Sequence, residues 1–289
     1  VTTSEPRTLR GATILMSGGS RGIGLAIALR AARDGANIAL LAKTAEPSAA
    51  LSGTIHTAVE AIEQAGGRGL AIVGDVRSDS SIDEAVARTV ERFGGIDIVV
   101  NNASALAPWS TADLQPKQYD LMQDINTRGT FMLTRAALPH LERSSRASVL
   151  TLSPPLNLAS SYWLSRFPGY LISKYGMSLT TLAFAAEFAD LDIRVNSLWP
   201  RTVIATDAVG NLLGGGETLQ KARVPGIMAD AAYCVLTSSD PSLTGRLLID
   251  DDVLTDAGVT DFDQYAVAGP GAELEPDFFL EDPAESVAS

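Results

Sequence analysis

Tyr170 and Lys174, spaced as Y-L-I-S-K, are the pair in this sequence best suited to moving a proton. A phenol that works as acid or base near neutrality needs its pKa lowered, and a nearby ammonium does this by stabilising the phenolate. Positions i and i+4 of a helix share a face. Among the tyrosines of the segment 153–178, Tyr175 has Leu179 at that spacing, and Tyr162 has Arg166 just ahead of Pro168. Only Tyr170 has the lysine. Such a spacing is common by chance, so its weight comes from Ser153 upstream and from a glycine-rich turn near the N-terminus. Pro154 and Pro155 exclude Ser153 from helical geometry and supply no N–H, so the serine is held extended after the apolar run 147–152. The plain alternative is an ordinary strand-ending turn.

The glycine turn lies between an apolar run (12–17) and a helical stretch, with Gly18, Gly22 and Gly24 spaced G-x-x-x-G-x-G. This is a variant of the dinucleotide fingerprint: a tight turn, close approach of backbone to a diphosphate, and close helix-on-strand packing. The free N–H groups at the start of the helix, from Ser20 through Ile23, would face the phosphates. At the end of the second run stands Lys43, nineteen residues past Gly24, with no acid before Glu46. A carboxylate there would bind the ribose 2′-OH of NAD. Two cations, Lys43 and Arg21, instead suit a 2′-phosphate and favour NADP(H) over NAD(H); a solvated Lys and Arg are the bland reading. After the third run, Asp75 is placed to accept from an adenine amino group, with the backbone of Val76 beside it. After the fourth come Asn101, Asn102, Ala103 and Ser104, small polar residues against which a ribose and nicotinamide can lie.

These residues need elements to carry them to one edge. Seven short apolar runs (12–17, 37–42, 69–73, 96–101, 147–152, 193–198 and 246–250) lack strict alternation, as parallel strands covered on both faces do. Between them lie amphipathic stretches: Ile82, Val86, Val90 and Phe93 share one helical face before Gly94 and Gly95, and Ile55, Val59 and Ile62 align before Gly66 and Gly67. Strand and helix in alternation predict an α/β fold, one doubly wound, seven-stranded parallel sheet with helices on both faces.

Composition removes several functions. Of 289 residues, 46% are hydrophobic and 19% charged, the profile of a globular chain with a large core. No apolar run approaches the length of a membrane span. The first residues lack the apolar centre of a signal peptide, so a cytoplasmic location is expected. Cys234, the single cysteine, excludes an internal disulfide and a cysteine-based zinc site, and His56 and His140 lack metal-ligand spacing, so no metal is expected. Twelve of the 34 acidic residues fall between Asp250 and Ser289, where there is no Lys or Arg, leaving 22 acids against 22 bases before them. Nothing resembles the basic surface that nucleic-acid binding requires. Aromatics inside the acidic segment, in "DFDQYAV" and "EPDFFLED", favour an arm packed on the body or a neighbouring subunit over a disordered tail. The expected divisions are an N-terminal extension (1–10), the nucleotide-binding domain (11–250) and the acidic arm (251–289).

The set "GGSRGIG", "DV" at 75–76, "NNAS", Asn126 in "INTRGTF", Ser153 and "YLISK" resembles the short-chain dehydrogenase/reductase family, whose fold is Rossmann-type. The run "SPPLNL" with "VNSLWPRT" and "PDFFL" resembles its hydroxysteroid dehydrogenase-like members in particular, over nearly the whole sequence. Such members carry a further sterol-carrier-type domain, for which no counterpart is expected in these residues. The resemblance implies that Tyr170 exchanges a proton with the carbonyl oxygen, that Lys174 lowers its pKa and binds the nicotinamide ribose, and that Ser153 hydrogen-bonds the reacting oxygen. It further implies that Asn126 holds the lysine and a water, and that Pro200 and Thr202 border the nicotinamide. Three departures stand out: a longer Ser153–Tyr170 spacing, so that "SSYWLSRF" must bulge outward; Pro200-Arg201 where proline-glycine is usual; and Ile249-Asp250-Asp251-Asp252 where glycine is common. Tyr162, Trp163 and Phe167, with Trp109, would wall an apolar pocket for a lipid-like substrate, unless they merely pack the bulge. Trp199 follows another strand. Homodimers or homotetramers are implied, through the helices bearing Asn126 and Tyr170. The rival reading is a nucleotide-binding, lipid-interacting or regulatory protein without redox turnover.

Overall fold

The computed structural model describes residues 8–47, 53–212 and 215–280. Most of the expected N-terminal extension and the last part of the acidic arm lie outside them. Seven strands, β1 (Thr13–Ser17), β2 (Asn37–Ala42), β3 (Arg68–Val73), β4 (Ile98–Asn101), β5 (Ser148–Thr151), β6 (Arg194–Trp199) and β7 (Arg246–Ile249), form one sheet in the order β3-β2-β1-β4-β5-β6-β7. Every neighbouring pair is parallel.

The apolar runs are continuous because each strand serves two cores. Ile14 and Met16 of β1 face one core while Leu15 faces the other, and Ile98 and Val100 of β4 oppose Val99 in the same way. Each of these side chains is almost fully excluded from water, which contributes about 1.5–3 kcal/mol apiece. The first core is closed by α1 (Gly22–Ala32), α2 (Ile55–Gln64) and, later in the chain, a helix at Gly226–Thr237. The second is closed by α3 (Asp79–Phe93), a helix at Gly129–Leu141 and one at Pro168–Glu187. Local signals set the bounds. Thr54 and Thr57 form a reciprocal cap on α2, Ser78 accepts from Ser81 N at the start of α3, and Gly94, at φ 90°, ends α3 in the left-handed region.

The remaining helices are α4 (Pro116–Met122), α5 (Gly129–Leu141), α6 (Ser161–Ser165), α7 (Pro168–Glu187), α8 (Asp207–Leu212), α9 (Gly216–Gln220), α10 (Gly226–Thr237) and α11 (Asp250–Asp256). Between α4 and α5 the backbone widens into a π-turn, Gln123–Arg128, that carries Asn126. Such widened turns recur at functional sites. The strand order reverses between β1 and β4, and the carboxyl ends on either side of that reversal form the crevice where open α/β sheets bind ligands.

Candidate active site

The carboxyl ends of β1 to β4 open on a cavity of about 600 Å3, within the size range of small-molecule sites. Gly18, Ser20, Arg21, Gly22 and Ile23 line it from the turn after β1, Lys43 from the end of β2, Asp75 and Val76 from β3, and Asn102, Ala103 and Ser104 from β4. Gly18 stands at φ +72°, and a Cβ there would come within 2.8 Å of the Ala103 Cα. Any side chain would therefore push the β4 loop off the turn. Asn102 donates its amide to the carbonyls of Gly18 (2.7 Å) and Ser17 (3.3 Å), and a Cβ on Gly24 would occupy the space of that amide. The Asn102 side chain is thus a brace for the turn. Arg21 precedes α1 in an extended conformation without a side-chain cap, so the first N–H groups of α1 are left for a ligand. A diphosphate fits this cradle.

Lys43 Nζ lies 3.0 Å from Asp75 Oδ2, and Arg77 grips the same carboxylate at 2.6–3.1 Å. The Arg77 hydrogen bonds, with help from Lys43, hold Asp75 far below the usual carboxylate range. Arg21 donates to the Gly53 carbonyl at 3.1 Å and approaches Asp207 at 3.9 Å. Thr206, Asp207, Ala208 and Asn211, at and around the start of α8, complete the wall together with Ile125. Sequence reasoning missed them because no motif marks the segment; only the rule that loops at strand carboxyl ends line the site could have found it.

Helix α7 brings Tyr170 and Lys174 to the same edge, one turn apart, and both are buried. Ser104, at the cavity wall, favours ionisation of the Tyr170 phenol. Burial, reinforced by the Asp277 carboxylate, pushes the phenol well above its ordinary pKa, with Ser104 opposing. Lys174 Nζ donates to the Leu152 carbonyl at 2.6 Å and stands 4.8 Å from the Trp199 ring centroid. Its burial brings the ammonium down to about 7, against the pull of Asp277. Loss of water raises Asp277 in turn to about 7, and Lys174 opposes that rise. Ser153 Oγ is buried and has no hydrogen-bond partner among the described residues, an unusual cost for a hydroxyl unless a ligand atom supplies the bond. Asn126 donates to Ala105 O (3.0 Å) and Ser173 Oγ (2.8 Å) and accepts from Ala105 N (2.7 Å). Its amide therefore ties the loop after β4 to α7.

The longer Ser153–Tyr170 segment leaves Leu158 and Leu164 exposed but does not merely bulge outward. It forms α6, capped by Ser160, and turns Trp163 inward to 5% exposure. The reason is the C-terminal chain. Phe278 and Phe279 return to this edge, with ring centroids 5.6 and 5.7 Å from Trp163 and 6.5 and 5.7 Å from Tyr170. Tyr162 and Phe167 join the same cluster. Trp109 stands apart at 47% exposure. Pro200 is buried after β6, and Thr202 forms an antiparallel bridge with Pro276.

Residues 12–213 match the family model of the short chain dehydrogenases. The chain belongs to that family. Hydroxysteroid dehydrogenase-like protein 2 of Bos taurus is 48% identical over 274 residues, covering 95% of this chain and 64% of that protein. The chain thus spans 52–66% of the length of such relatives. A short chain dehydrogenase structure from Mycobacterium thermoresistibile is 50% identical with a TM-score of 0.90, over 96% of this chain and 97% of the other. One from Burkholderia cenocepacia in complex with NADP is 29% identical with a TM-score of 0.72, over 84% and 97% of the two chains. Within the short-chain dehydrogenase frame, two of the unusual sequences meet: Arg201 N donates to Asp250 Oδ1 (2.9 Å), Nε to Asp251 (2.7 Å) and Nη2 to Asp252 (2.6 Å).

Proposed function

We propose that this short-chain dehydrogenase is an NADP(H)-dependent oxidoreductase that interconverts a carbonyl and a secondary alcohol on a hydrophobic substrate. The observation that carries the reading is the buried, unpartnered hydroxyl of Ser153 at the edge that also holds Tyr170, Lys174 and the dinucleotide-sized cavity. When bound, the nicotinamide coenzyme supplies or takes up a hydride. The protein holds the reacting carbon in place and manages the proton. In reduction, Ser153 Oγ donates to the carbonyl oxygen and Tyr170 Oη delivers the proton as that oxygen gains charge. Contrary to the lowering expected from Lys174, burial raises the phenol pKa, so Tyr170 is protonated near neutrality and its proton is there to be donated in reduction. Lys174, close to neutral poise, supplies positive charge on the same helix, and Asn126 fixes the backbone around them.

Arg21 and Lys43 at the cavity wall, with no acid at the end of β2, support the phosphorylated coenzyme, as does the NADP complex of the Burkholderia relative. The aromatic cluster of Tyr162, Trp163 and Phe167 supports an apolar substrate. Phe131, Ile172 and Leu179 remain exposed on α5 and α7, which supports pairing with a second copy through that face. The rival reading, nucleotide binding without turnover, draws only on the cover that Phe278 and Phe279 place over Tyr170. A panel of hydrophobic ketones and alcohols with NADPH and NADH separates the two. Turnover that Tyr170→Phe removes while NADPH still binds supports the oxidoreductase; coenzyme binding without turnover of any panel member, or activity untouched in Tyr170→Phe, overturns it.

A further inference from the structure

The chain from Glu275 to Leu280 lies along the reacting edge as a strap. It is held by main-chain bonds from Val203 N to Glu275 O (2.9 Å), Glu275 N to Lys221 O (2.9 Å) and Asp277 N to Arg201 O (2.9 Å). Trp199 Nε1 donates to Phe278 O (3.0 Å) and Asn157 Nδ2 to Leu280 O (2.5 Å). Phe279 is fully buried among Trp163, Tyr170, Tyr175 and Trp199, at centroid distances of 5.7–6.4 Å.

A second feature is independent of these contacts. Phe279 has φ +70° and Phe167 φ +48°, and both belong to this one cluster. The left-handed region is unfavourable for a bulky aromatic. Strain of this kind persists only where the surroundings dictate the conformation, and it gathers at ligand clamps and active sites. A strap needed only for stability could relax by placing glycine or asparagine at 279. Here the strained backbone directs an aromatic ring onto Tyr170.

We infer that the strap Glu275–Leu280 is the substrate-selecting wall of the site: Phe278 and Phe279, seated on Tyr170, set how bulky a carbonyl compound reaches the phenol. The inference rests on the oxidoreductase reading and names the residues that select its substrate. Neither ring lines the coenzyme cavity, so selection and coenzyme binding are separable.

The test compares wild type with Phe279→Ala, Phe278→Ala and the conservative Phe279→Leu, using 2-hexanone and the bulkier 2-decalone with NADPH. The kcat/KM ratio of decalone to hexanone should rise on the order of tenfold in Phe279→Ala and less in Phe279→Leu, with NADPH affinity unchanged within about twofold. A ratio equal to that of wild type in every folded variant overturns the inference. So does a uniform rise for both ketones, which would make the strap a plug with no role in selection. Should Phe279→Ala not fold, Phe278→Ala and Phe279→Leu carry the comparison. Should wild type bind NADPH and turn over neither ketone, the strap is read from binding of the two ketones followed by Trp163 and Trp199 fluorescence. A relative affinity for decalone that rises in Phe278→Ala or Phe279→Leu supports it; an unchanged one overturns it.

Discussion

Arg201 Nε lies 2.7 Å from Asp251 Oδ1, so the segment after β6 is fastened to the first turn of α11. The parallel register that pairs Trp199 with Ile249 makes this unavoidable: the residues that follow each strand emerge side by side. Three aspartates open α11, where the positive end of the helix dipole favours them, but Asp250 and Asp251 are also buried or nearly so and require a cation. Arg223, 3.3 Å from Asp251, is the second one.

Replacing Arg201 by Gly, the residue usual in the family, should therefore not restore a standard site. Removing one partner leaves the acidic turn undercompensated, and the pair is only partly exposed, so a loss of about 1–2 kcal/mol is expected. Urea unfolding of Arg201→Gly, Asp251→Ala and the double variant would measure it. Additive effects of the two single changes would show that the pair is uncoupled.

That pairing is within reach of the sequence once seven strands in parallel register are accepted; without a register, Arg201 and Asp250-Asp251-Asp252 are separate oddities. The strands themselves were legible because both of their faces are apolar, and the turn at Gly18 because a close approach demands glycine. The return of Phe278 and Phe279 to Tyr170 was not legible. It joins residues over a hundred positions apart, and such contacts leave no local period. Two adjacent phenylalanines in an acidic stretch were its single trace. The π-turn around Asn126 likewise has no periodic signature, since it interrupts the helical pattern for one turn only.

Ser104 should control the pH range of alcohol oxidation. Ser104 eases ionisation of Tyr170, against burial and the Asp277 charge. Oxidation needs the phenolate, so Ser104→Ala should raise the phenol pKa further and move the alkaline limb of kcat/KM for oxidation to higher pH. Activity at pH 8 should fall on the order of tenfold, as expected for losing a hydroxyl that can donate to a charged oxygen, worth about 1.5–3 kcal/mol. Carbonyl reduction uses the phenol that is already protonated at pH 8, so its rate there should not fall. A limb that stays in place for oxidation would remove Ser104 from the proton path.

Coenzyme choice should reside in Arg21 and Lys43. Both line the cavity, and Lys43 is held there by Asp75. The double variant Arg21→Ala/Lys43→Ala should weaken NADPH by roughly 10–100-fold through loss of charge-assisted bonds to the 2′-phosphate. NADH lacks that phosphate and should change by less than about threefold. Calorimetric titration of both coenzymes checks this. Equal weakening of the two would mean that these cations serve the diphosphate or the fold instead.

Asp250 should make stability fall as pH rises through the mildly acidic range. Its side chain is fully buried; Oδ1 accepts from Arg201 N and Asp251 N, while Oδ2 has no partner among the described residues. Burial first, and the charge of Asp251 next, raise its pKa from 3.8 to about 6. Between those two pH values the folded chain binds a proton that the unfolded chain has released, so the contribution is fully present below the unfolded pKa and lost on passing the folded one. Asp250→Asn keeps the accepting oxygen and cannot ionise. It leaves an amide N–H₂ without a partner, a cost that does not vary with pH. The stability of Asp250→Asn relative to wild type should therefore improve by roughly 2–3 kcal/mol between pH 4 and pH 8, read as the difference between paired urea melts at the two pH values. The same difference at both would mean that Asp250 titrates alike in the folded and unfolded chain, and that the Arg201 loop compensates its charge completely.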